Sequence, residues 1–142
     1  MIDDLLNKPY WIIDILPEQV PEKSGSRFFA VEKYYLRSSG LAEIHRCFTD
    51  VLLKLNCYSD FQVYCSDSDR AAVNPAPEAL ASWISGEQKD LCIILPGEDA
   101  MITLNHDDFY MTVYNPPETL LKRIGSLAAA HGLFLRKPGE EA

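Results

Sequence analysis

The densest group of chemically capable side chains is the run Asn105-His106-Asp107-Asp108. A histidine beside carboxylates has the makings of a general base, because a nearby negative charge favours the protonated ring and raises its proton affinity. Asp107 or Asp108 would orient the His106 ring, or the same residues would begin a metal site. A turn explains the composition equally well. Asn, Asp and His hydrogen-bond their own backbone and tolerate unusual backbone angles, which is what a strand-to-strand turn selects. Residues 101–104 and 109–114 on either side are both of strand type, so an exposed turn is the expectation. His106, Asp107 and Asp108 stand behind it as catalytic candidates.

Other chemistry is thinner. The four cysteines, Cys47, Cys57, Cys65 and Cys92, form no C-x-x-C pair, and the three histidines lie at unrelated spacings. Structural zinc uses ligands paired two to four residues apart, so no metal is expected. Cys47 and Cys92 fall in apolar runs and read as small core residues. His45 with Cys57 or Cys65 supplies the types for a base and a nucleophile, but thiol activation depends on neighbours in space. Ser66-Asp67-Ser68-Asp69 clusters oxygen donors without the glycine and distal glutamate of a calcium loop, and reads as a solvated loop. The glycine-rich phosphate loops, H-E-x-x-H and G-x-S-x-G are all missing. No cofactor is expected.

Aromatic residues suggest recognition instead. Tyr34 and Tyr35 fall in a predicted strand, where neighbours point to opposite faces. Tyr110 and Tyr114 share one face of another, opposite Phe109, Met111 and Val113. An antiparallel sheet needs only one buried face, so the Tyr110/Tyr114 face is either covered by a helix or free to bind. Tyrosine is enriched at interfaces, which makes Tyr34, Tyr35, Tyr110 and Tyr114 the binding candidates.

The elements that must hold these residues follow from periodicity and punctuation. Residues 11–16 are β-branched and apolar and are stopped by Pro17, a first strand. Residues 17–27, with two prolines, a glycine and two serines, read as an exposed loop. Residues 28–36, rich in aromatics, read as a second strand. Leu41, Ile44, Phe48, Val51, Leu52 and Leu55 recur at three- and four-residue steps and predict a helix over 41–55, with Ser38 or Ser39 as its cap. Strands follow at 61–65, 91–95, 101–104, 109–114 and 133–136, the middle three as a meander. The stretch 66–74 reads as a loop. A short helix runs from about 75–77 to 85, and a third helix follows Asn115-Pro116-Pro117-Glu118, with Asn115 as cap and Gly132 as terminator. Residues 138–142 read as a frayed tail. The run 110–118 with its helix and Gly132 resembles a strand–NPP–helix unit in small bacterial immunity proteins. That resemblance covers about a quarter of the chain, rests on helix-start chemistry, and transfers no functional residue.

Bulk properties set the frame. A chain of 142 residues, 47% hydrophobic and 24% charged, is expected to be one α+β domain over 1–142 with a self-sufficient core. The predicted fold is a mixed, largely antiparallel sheet of six or seven strands with three helices packed mainly on one face. A net charge of −8 disfavours nucleic acid and anionic membrane, whose affinity comes from Lys and Arg. It is compatible with a basic protein partner and leaves homo-oligomers open. Acidic residues near Met1 do not suit a secretory signal, no run is long enough to span a bilayer, and free thiols fit a cytoplasmic setting. The leading expectation is a non-catalytic protein-binding module, in one version an immunity-type inhibitor of a basic partner. The alternatives are a small enzyme using the turn around His106, or a small-ligand sensor with a pocket between the 41–55 helix and the sheet.

Overall fold

A computed structural model describes residues 2–66, 68–87 and 89–138. Asp67 of the polar loop and residues 139–142 of the expected tail lie outside the described residues. The chain is an α+β protein built on one sheet of seven strands: β1 (Tyr10–Asp14), β2 (Gln62–Cys65), β3 (Ala72–Val73), β4 (Leu91–Leu95), β5 (Ala100–Leu104), β6 (Tyr110–Tyr114) and β7 (Phe134–Arg136). Their order across the sheet is β3-β2-β4-β5-β6-β1-β7, and every neighbouring pair is antiparallel. The helices are α1 (Ile2–Leu6), α2 (Gly25–Arg37), α3 (Gly40–Asn56), α4 (Pro77–Ala81) and α5 (Glu118–Ala130).

The meander β4–β5–β6 sets the register. Ile93 pairs with Ile102, and Ile102 with Val113. Side chains alternate along a strand, so these three point to one face with Val63, Met111 and Ile13. On that face α3 lays down Ile44, Phe48, Val51, Leu52 and Leu55, and α5 adds Leu120, Ile124 and Ala128, all in one buried cluster. Ser39 is the N-cap of α3 but makes no capping side-chain hydrogen bond; Ser38, one residue earlier, accepts the Gly40 N–H at 3.1 Å. Gly132 takes a left-handed φ of 75° after α5, and the Leu133 N–H returns to the Ala128 carbonyl at 2.9 Å, closing the helix end. The opposite face is covered thinly. Leu5 of α1 packs there on Ile94 and Met101.

Several sequence expectations are corrected. Residues 28–36 form α2 rather than a strand. Phe28, Val31 and Tyr35 fall at i, i+3 and i+7 and face one groove with Ile15 and Leu16, so the helical period prevails over the strand preference of the individual aromatics. Tyr34 and Tyr35 therefore do not project from two faces of a sheet. The seventh strand lies inside the expected 66–74 loop, where Ala72 and Val73 pair with Val63 and Gln62. There are five α-helices among the described residues instead of three, and α2 begins within the expected 17–27 loop, after a 3₁₀ turn at Glu22–Ser24.

Asn115 does not cap α5. Pro117, extended at φ −67° and ψ 162°, is the N-cap. Asn115 itself sits at φ 57°, donates from Nδ2 to the Asp99 carbonyl at 2.9 Å, and gives its N–H to the Pro9 carbonyl at 2.8 Å. Its short polar side chain makes it one of the few residues that hold a left-handed conformation, and that is its use here.

Candidate functional site

The polar turn after β5 is organised from a distance. Leu91 pairs with Leu104 at the end of the β4–β5 ladder, which leaves Asp90 beside the residues that follow Leu104. One Asp90 oxygen accepts both the His106 N–H and the His106 ring Nδ1–H, each at 2.8 Å. These bonds favour the charged form of each partner: His106 titrates above its ordinary value, chiefly through the ring bond, and Asp90 below its own, chiefly through the backbone bond. The expected orienting residues act on His106 through their nearby charge, and Asp108 accepts from Asn105 Nδ2 at 3.1 Å. Burial, with Asp108 beside it, pushes the Tyr110 phenol upward. The His106 side chain is 46% exposed.

His45 reaches the same turn from α3. It is 1% exposed, and its Nε2 lies 3.1 Å from the His106 carbonyl. A carbonyl only accepts, so Nε2 carries the proton. Burial lowers the His45 pKa, because a charge there would lose its water. The Thr49 hydroxyl donates to the His45 carbonyl at 2.8 Å. His45 is thus a neutral fastener between α3 and the turn. Cys57 lies beyond the far end of α3, about 18 Å along the axis at 1.5 Å per residue, and its thiol donates to the Leu53 carbonyl at 3.5 Å. Burial raises the Cys47 and Cys92 thiols, away from the reactive thiolate. Among the described residues, no group of three or more His, Cys, Asp or Glu side chains could hold a metal.

A concentration of acidic charge lies next to this turn. A cleft of about 460 Å³ opens between the end of β1, residues 16–22, the start of α2 and the 107–110 segment. Asp14, Glu18, Glu22, Glu32, Asp107 and Asp108 line it, over an apolar bed that includes Phe28 and Phe109. Arg136 is the one cation in its lining. It is already engaged, donating from Nη2 and Nε to Asp14 Oδ2 at 2.7 and 3.3 Å, with both side chains largely buried. Asp14 Oδ1 meanwhile accepts the Ile15 N–H at 2.7 Å. The pair ties β7 to β1 and leaves the other five carboxylates to set the field of the cleft. The sequence reading named Asp107 and Asp108 but could not see Asp14, Glu18, Glu22 and Glu32, which converge only after the 17–27 segment folds back along α2.

No family model, curated protein or solved structure matches this chain. The site therefore rests on its own geometry.

Beside the cleft, and sharing Leu16, Val20 and Phe28 with it, runs an apolar groove of about 400 Å³ walled by Ile15, Val31 and Tyr35. Tyr35 stands edge-on to Phe109, ring centroids 6.1 Å apart, and covers Gly40, where a Cβ would run into its ring. Tyr34 is 68% exposed. Tyr110 lines the cleft and shares the thinly covered sheet face with Tyr114, whose ring is 5.8 Å from that of Tyr10. The four tyrosine candidates therefore divide: Tyr110 and Tyr35 flank the cleft and groove, Tyr114 lies further along the sheet, and Tyr34 faces outward from α2. The space between α3 and the sheet, where a ligand pocket was one expectation, is filled by Phe48, Leu52 and Leu55, each at 0% exposure. Among the described residues, no helix is long and apolar enough to cross a membrane.

Proposed function

We propose that this chain is a non-catalytic cytoplasmic protein that binds a basic segment of another protein in the acidic cleft. The single observation behind the reading is the lining of that cleft: six carboxylates, one already committed arginine, and an apolar bed that continues into the groove beside α2. Carboxylates arranged around apolar surface suit a segment that carries Lys or Arg together with apolar side chains. The field speeds encounter and selects the sign of the partner, while burial of the apolar bed supplies holding energy. An immunity-type inhibitor of a basic toxin is one form of such a binder. The His106–Asp90 pair serves the architecture of the turn in this reading.

A labelled amphipathic peptide of lysine and leucine tests it by fluorescence anisotropy. The triple variant Glu18→Gln/Glu22→Gln/Asp107→Asn is expected to bind at least about tenfold more weakly, ~1.4 kcal/mol, with a reduced dependence on salt. Equal affinity for the variant, or binding indifferent to salt, counts against the cleft.

A further inference from the structure

We infer that α2 is the contact surface of a symmetric homodimer. This rests on α2 and is separate from the cleft reading, except that Glu32 at the edge of the helix also borders the cleft. The helix is 13 residues long and buries none of them. Phe29 is 64% exposed and Leu36 55%, both large and apolar. With 3.6 residues per turn, positions 29, 32, 33 and 36 fall at i, i+3, i+4 and i+7, a single stripe. The stripe reads Phe29, Glu32, Lys33, Leu36: apolar, acidic, basic, apolar.

That order is self-complementary when reversed. Two α2 helices laid antiparallel, with the two-fold axis between residues 32 and 33, place Phe29 against Leu36 of the second copy. Glu32 then meets Lys33 of the second copy, and Lys33 meets its Glu32. Every contact occurs twice, as an isologous interface requires. Among the described residues, neither Glu32 nor Lys33 is in a salt bridge within the chain, so both charges are available to the second copy.

The distribution of charge favours this surface over the others. The chain carries a net −8, so two copies repel over most of their surfaces. Helix α2 carries Arg27, Lys33 and Arg37 against Glu32, so the acidic remainder of a second copy is drawn toward it. Opposite charges therefore meet at the centre of the seam, while the exposed Phe29 and Leu36 become covered.

Sedimentation velocity on the full chain tests the inference, with the urea midpoint of each variant recorded alongside. The wild type is expected to sediment as a dimer whose population falls on dilution. Phe29→Glu is expected to be monomeric, with the midpoint that the wild type shows when diluted to monomer, since the residue is exposed within one copy. Lys33→Glu places four like charges at the seam and should weaken the dimer by at least about tenfold. The exchange Glu32→Lys/Lys33→Glu restores opposite pairing in this register and should recover most of that loss. A wild type that is monomeric at every concentration, a Phe29→Glu variant that still dimerises, or a charge exchange no better than Lys33→Glu alone would each overturn it.

Discussion

Helices α2 and α3 are neighbours in the chain, with only Ser38 and Ser39 between them, and both are rich in apolar residues. They end in opposite environments. On α3, Phe48, Val51, Leu52 and Leu55 are all at 0% exposure, and its charged residues gather on the other side. On α2, apolar residues spread around the helix, and the sheet takes up only the Phe28–Tyr35 flank through a shallow groove. The contrast shows that apolar content does not fix burial. What α3 has is a stripe of one angular width set against an apolar sheet face. Helix α2 divides its apolar residues between an inner flank and an outer stripe, and one side of the molecule can bury only one of them. The outer stripe is left exposed within one copy of the chain.

The contrast is tested most strongly in α3. Phe48→Ala should cost about 3–5 kcal/mol through lost transfer energy and the cavity left behind, read as a shift in urea midpoint. A midpoint that barely moves would remove the distinction between the helices.

The junction between them comes next. Gly40 is buried, and an added methyl at Gly40→Ala meets the Tyr35 ring, an overpacking cost of about 1–3 kcal/mol. In a Tyr35→Leu background the same change should cost clearly less, because the residues are in contact and their effects are not additive. Equal costs in both backgrounds would show that Tyr35 does not anchor α2 here.

A smaller effect sharpens the role of His45, which α3 buries together with Thr49. Its folded pKa is depressed below 6.5, so the unfolded chain binds more protons in that window. Stability should therefore fall as pH drops below 6.5 toward the lowered value. His106 acts on the other side. Its raised pKa gives a contribution that is full below 6.5 and lost as pH rises through the raised value. The two windows adjoin at 6.5 and both favour stability there. The urea midpoint of His45→Gln, whose amide can still donate to the His106 carbonyl, should lose the acid-side slope while keeping the alkaline one.

The smallest effect completes the series. Phe29→Ala should change the stability of a single copy by less than about 0.5 kcal/mol, as expected of an exposed position. A cost similar to that of Phe48→Ala would mean that α2 is held by its outer stripe after all.

Much of the fold was legible because one periodicity dominated each segment. The 41–55 stripe, the unbroken apolar run of β4 and the Gly132 stop each had one reading, and each appears in the structure. The 28–36 segment failed because Phe28-Phe29 and Tyr34-Tyr35 are doublets. A doublet satisfies a period of 2 and a period of 3.6 alike, and the strand preference of aromatics tipped the reading. Asn115 failed because Asn before two prolines suits both a cap and a left-handed turn, and the choice depends on the Asp99 carbonyl, which comes from another hairpin. The site was legible only at Asp107, Asp108 and Tyr110. Asp90 is sixteen positions from His106, and only the 91-to-104 register of the hairpin brings them together. The cleft's Glu18 and Glu22 sat in what read as a featureless loop.

The strand order carries a cost in time. Strand β1 has no neighbour from the next ninety residues of chain: it lies between β6 and β7, and its Asp14–Arg136 tie closes over 122 positions. During synthesis at about 5–20 residues per second, β1 waits on the order of ten seconds before its partners exist. The β4–β5–β6 meander, by contrast, pairs as soon as it is made. Closing such a long loop costs entropy before any contact repays it, and topologies of this kind fold slowly. Of the seven strands, β1 therefore waits longest for its neighbours in the sheet.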